Sequence, residues 1–70
     1  MNARYPNRLR QLRGMAWTQE ELAERVGVDP STYRGWEEGY HRPRPVNVRA
    51  LIQVFAVEER ALGYQLESAL

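Results

Sequence analysis

Seventy residues without a cysteine make one small domain with no disulfide framework and no thiolate metal site, so stability must come from a compact helical core or from association. Ten arginines and no lysine stand against nine acidic residues, for a net charge of +1. One histidine and one aspartate leave few ways to assemble a nucleophile, a base and an orienting group, so neither an enzyme nor a cofactor or metal site is expected.

The first stretch, MNARYPNRLRQLRG, carries four arginines and no acid. It holds no continuous apolar run, and nothing in the chain approaches the ~20 apolar residues of a membrane span. No membrane association and a cytoplasmic location are therefore expected. Tyr5, Leu9, Leu12 and Ala16 follow a helical spacing, which predicts a first helix from Pro6 or Asn7 to Arg13 or Gly14.

Thr18 to Gly39, TQEELAERVGVDPSTYRGWEEG, is the centre of the chain. Thr18 with Glu21 forms a capping box, flanked by the apolar staple of Trp17 and Leu22. Leu22, Ala23 and Val26 make one stripe, and Gly27 is suited to the left-handed position that ends a helix. Asp29-Pro30 restarts the chain with an N-cap and a first-turn proline. Gly39 offers a second stop. The segment reads as a helix over about 19–26, a sharp turn, and a helix over about 30–38.

Gly39 to Pro45 follows as an extended loop, because each proline biases its predecessor away from helix. A fourth helix is expected from Asn47, as its cap, through Phe55, with Val48, Leu51, Ile52 and Phe55 facing the core. Glu58 and Glu59 suit the first turn of a fifth helix carrying Leu62, Leu66 and Leu70. The prediction is an all-α fold of five short helices over residues 1–70, in a single domain.

At about 100° per residue, Tyr33 and Trp36 share the inner side of the third helix. Ser31, Gly35 and Glu38 lie opposite, with Arg34 and Thr32 on the flanks. A helix-turn-helix presents its second helix to the major groove. Ser31 and Thr32 suit base edges, and Arg34 suits guanine or a phosphate. Gly35 offers no side chain there: either the backbone approaches DNA closely, or no base is read. Both tryptophans are expected in the core. His41 is expected on the surface, solvated or near a phosphate.

The run TQEELAERVGVDPSTYRGWEEGYHRP resembles the helix-turn-helix domain of the lambda-repressor/Cro family of bacterial regulators, also called the xenobiotic-response-element family. The coinciding positions are Thr18-Gln19, Leu22-Ala23, Val26-Gly27-Val28, and Glu37 with Gly39 before Pro43. The resemblance implies a transcriptional regulator that binds a palindromic site in double-stranded DNA as a homodimer, with the third helix in the major groove. It implies a phosphate contact at Gln19, base readers at Pro30, Ser31, Thr32 and Gly35, and an ion pair of Arg13 with Glu37 tying the first helix to the third. With Arg34, and with Tyr40, Arg42 and Arg44 in the following loop, this completes the expected DNA-contacting set.

The sequence departs from the family pattern in four places, one of them a region after Pro43 that is longer than in the shortest members. The connection Gly14-Met15-Ala16-Trp17 is one residue short. Pro30 has a side chain that cannot hydrogen-bond, and Glu38 is repelled by phosphate unless it accepts from a cytosine amine. These changes predict modest affinity or readout leaning on DNA shape. Pro30, Gly35, Glu38 and the low net charge also fit a protein-interaction module, an antitoxin or adaptor, in which DNA contact is minor or lost. Titration with random duplex at low salt separates the two, because sequence-independent affinity shows in roughly the micromolar range. A partner protein or parent chain would supply any effector sensing.

Overall fold

The computed structural model describes residues 4–64. Among them are four α-helices and no strand: α1 (Leu9–Arg13), α2 (Gln19–Val26), α3 (Pro30–Glu37) and α4 (Pro45–Phe55), followed by one 3-10 turn, Glu59–Leu62. Leu9, Leu22, Ala23, Tyr33, Trp36, Leu51 and Leu62 form the buried core. Every element contributes to it, which is how helices this short are stabilised: packing of one apolar side does what local propensity cannot.

α1 is shorter than its apolar spacing predicts. The Asn7 side chain accepts from the Leu9 N–H at 3.0 Å and donates to the carbonyls of Tyr5 at 2.9 Å and Trp36 at 2.7 Å. The Tyr5 N–H donates to the Gly39 carbonyl at 2.9 Å. Residues 5–7 are thus a non-helical clasp on the end of α3, so Tyr5 is not on α1. Ala16 lies beyond α1 and is exposed.

α2 carries its capping box in both directions: the Glu21 N–H donates to Thr18 Oγ1 and the Thr18 N–H to Glu21 Oε1, each at 3.0 Å. Gly27 ends the helix at φ 94°, ψ 33°, and both its N–H and that of Val28 donate to the Ala23 carbonyl. α3 begins at Pro30 after an extended Asp29, but the Asp29 side chain makes no capping hydrogen bond. The proline, which needs no donor partner at that position, sets the start without it.

α4 starts two residues before the predicted cap. Arg44 is extended and Pro45 opens the helix, so Asn47 lies inside the first turn, its N–H donating to the Arg44 carbonyl at 2.8 Å. The expected fifth helix is a single 3-10 turn. The Leu62 carbonyl, which a continuing helix would use, accepts instead from the Arg8 N–H at 2.7 Å, and the chain turns at Gly63. Leu62 is in the core, whereas Leu66 and Leu70 lie outside the described residues. Trp36 is buried with its ring edge-on to Tyr33, 5.9 Å between centroids. Trp17 is half-buried against Phe55, beneath the Arg25 guanidinium.

Candidate nucleic-acid interface

The outer side of α3 is set by what its inner side buries. Tyr33 is wholly enclosed and Trp36 almost so, whereas Ser31, Thr32, Arg34 and Glu38 are exposed. α3 thus presents two hydroxyls, a guanidinium and a carboxylate, held in place by two large aromatic anchors.

Beneath that surface lies a polar knot centred on Glu37, whose side chain has no solvent exposure. Arg13 Nε donates to Glu37 Oε2 at 2.5 Å and its Nη2 to Oε1 at 3.2 Å. The Tyr33 hydroxyl donates to Oε2 at 2.8 Å, and Gln19 Nε2 to Oε1 at 2.9 Å. Burial alone would raise the Glu37 carboxyl, but the hydrogen bonds from Arg13, Tyr33 and Gln19 outweigh it and hold the group below the ordinary carboxylate range. Burial, reinforced by Glu37, pushes the Tyr33 phenol far up, so it stays a donor. Arg13 also donates from Nη1 to the Trp17 carbonyl at 3.1 Å, joining the entry to α2 to the same knot. The knot therefore fixes α1, α2 and α3 relative to one another.

Gln19, expected to contact a phosphate, turns its side chain toward the knot. One amide N–H donates to Glu37 Oε1, and the Gln19 Oε1 accepts from Arg34 Nε at 3.3 Å. A buried carboxylate is a stronger acceptor than any solvated one, which explains the inward turn. Gln19 thus links the buried pair to Arg34 on the open surface.

At Gly35 the surroundings bear on the two readings, close backbone approach or no base read. It is buried, and a Cβ placed on it would lie 2.8 Å from His41 Cδ2. The N–H groups of Tyr40 and His41 donate to the Gly35 carbonyl at 2.9 and 3.3 Å. The close approach that requires a glycine here is made by the chain's own loop, so Gly35 is not open to a second backbone. The sequence places His41 on the surface, solvated or near a phosphate, and it is exposed; its contact with Gly35 follows only from the fold.

Among the loop residues, Tyr40 and Arg44 are exposed. Arg42 is half-buried, its guanidinium 5.6 Å from the Tyr64 ring centroid, and with Pro43, Val48, Arg49 and Ile52 it lines a groove of about 450 Å³. Asn7 was missed as an organiser of this region, because a lone asparagine between Pro6 and Arg8 signals no distant partner. No helix among the described residues is long and apolar enough to cross a membrane, and no group of three or more His, Cys, Asp or Glu there is placed to hold a metal ion.

A helix-turn-helix family model, of the Cro/C1 type, matches residues 8–62, which spans α1 through the final 3-10 turn. The chain belongs to the Cro/C1-type helix-turn-helix family. No curated protein and no solved structure matches it. The Cro/C1-type family is one of DNA-binding transcription regulators and is not an enzyme family. Within this Cro/C1-type domain, α2 and α3 are the helix-turn-helix pair.

Proposed function

We propose that this Cro/C1-type domain binds a palindromic duplex site as a homodimer, with α3 in the major groove. The observation that carries the proposal is the sidedness of α3: Tyr33 and Trp36 are buried while Ser31, Thr32 and Arg34 stand exposed. Ser31 and Thr32 discriminate bases through their hydroxyls and the Thr32 methyl, and Arg34 contacts guanine or an adjacent phosphate. Gln19 positions Arg34 and lies at the start of α2, where the helix end attracts phosphate. Tyr40, Arg42 and Arg44 supply backbone contacts, Arg44 with the most open side chain of the two arginines. In the dimer the two copies of α3 sit about 34 Å apart, one helical turn of DNA.

Mobility-shift titrations over a salt series test this. Arg44→Ala lowers affinity for all sequences and flattens the salt slope by about one unit. Ser31→Ala relaxes preference at one base pair of each half-site. An unchanged salt slope removes Arg44 from the footprint, and an unchanged preference removes Ser31 from readout. Light scattering on the complex reports two chains per site, and one chain per site contradicts the dimer.

A further inference from the structure

A position on the outer side of α3 is occupied by a residue that does not belong to the helix. Residues three and four apart on a helix share a face, so Gly35 lies between Ser31 and Glu38, both exposed. The place where residue 35 would project a side chain is filled by the His41 ring, with Cδ2 2.8 Å, Nε2 3.7 Å and Cγ 3.8 Å from an ideal Cβ. The ring therefore meets the helix by its Cδ2 corner, with Nδ1 and Cε1 on the far side. The two hydrogen bonds to the Gly35 carbonyl from the Tyr40 and His41 N–H groups hold this part of the loop on α3, and His41 is exposed.

We propose that His41 acts as a reading side chain of α3, its imidazole contacting a base edge from the position that Gly35 leaves vacant. An imidazole nitrogen bearing a proton donates to the N7 and O6 acceptors that guanine presents in the major groove. Gly35 is the counterpart of this arrangement: any side chain there would lift the ring away from the helix. The assignment rests on α3 lying in the major groove, as proposed above.

The test is selection of bound duplexes from a random library with the full chain, its His41→Ala variant and its Gly35→Ala variant, each first shown by circular dichroism to be helical. The wild-type chain selects a defined site. His41→Ala loses preference at one base pair per half-site, with affinity for the wild-type site lowered about 5- to 100-fold and the salt slope unchanged. Gly35→Ala, which displaces the ring without removing it, alters preference at that same base pair. An identical site preference for His41→Ala overturns the assignment, and so does a salt slope lowered by about one unit with preference intact, which marks a phosphate contact. If the wild-type chain selects no duplex at all, the functional reading falls together with this one. If the wild-type selects and His41→Ala is indistinguishable from it, only the histidine assignment falls.

Discussion

Arg13 and Glu37 meet edge to edge, two guanidinium nitrogens on two carboxylate oxygens, 24 residues apart in the chain and with the carboxylate sealed from solvent. Removing one partner of such a pair leaves a buried charge without its counter-charge, which typically costs about 3–5 kcal/mol. Arg13 retains some exposure, Gln19 and Tyr33 would still donate to Glu37, and the exposed Arg10 guanidinium stays 3.8 Å from Glu37 Oε1 as a weaker counter-charge, so the lower end applies. Arg13→Ala should destabilise the domain by about 3 kcal/mol, a large part of the total for a chain this small. Tyr33→Phe, which removes one hydrogen bond to a charged acceptor, should cost about 1.5–3 kcal/mol. Urea denaturation of both variants checks the order; Tyr33→Phe being the more damaging would displace Arg13 from the centre of the knot.

The same knot makes the domain acid-sensitive. Glu37 ionises at a lower pH in the folded chain than its ordinary value of 4.5, so on acidification the unfolded state takes up the proton first. The contribution to stability is fully present above the unfolded pKa and is lost as pH falls through the folded value. Urea midpoints measured from pH 6 to pH 2 should decline below about pH 4.5. In Glu37→Gln, less stable at neutral pH, that decline should be shallower. Parallel profiles for the two proteins would contradict the shift.

Ala56 ends α4 in the left-handed conformation, at φ 57°, ψ 47°. An L-residue there carries about 1–2 kcal/mol of strain, while glycine loses more entropy on folding. The difference favours Ala56→Gly by about 0.5–1 kcal/mol, or a rise in Tm of about 2–8 °C for a domain of this size. A lower Tm would show that the alanine methyl makes contacts worth more than the strain.

Gly27 and Gly63 both have positive φ, at 94° and 87°, but their surroundings differ. A Cβ on Gly27 meets nothing within 4 Å, whereas one on Gly63 meets the Arg8 backbone nitrogen at 2.8 Å. Gly27→Ala should therefore cost only the backbone term, about 1 kcal/mol. Gly63→Ala must also disturb the Arg8 to Leu62 hydrogen bond and should cost clearly more. Thermal melts of the two variants give the ranking, and equal losses would contradict the clash at Arg8.

What could be read from the sequence was what neighbouring residues decide among themselves. The Thr18–Glu21 box, the Gly27 stop and Pro30 at the head of α3 are each complete within a few residues, so the bounds of α2 and the start of α3 followed from local chemistry. The departures come from partners distant in sequence. Asn7 shortens α1 by bonding Trp36, 29 residues away. Arg8 holds the carbonyl at which the expected fifth helix stops. Gln19 turns inward because Glu37 is buried, which no spacing rule reports. For the same reason Ser31, Thr32 and Arg34 could be placed on the outer face from periodicity, while the cover over Gly35 could not.

The central claim, that the exposed side of α3 reads duplex DNA, is tested most directly by duplex selection with the wild-type chain and the triple variant Ser31→Ala/Thr32→Ala/Arg34→Ala. All three side chains are exposed, so the variant should fold. The wild-type chain should enrich a two-fold symmetric site, and the triple variant should lose that preference while keeping weak, salt-sensitive affinity for any duplex. Identical enrichment by both proteins, or no binding by the wild-type chain to any duplex at micromolar concentration and low salt, would contradict the account.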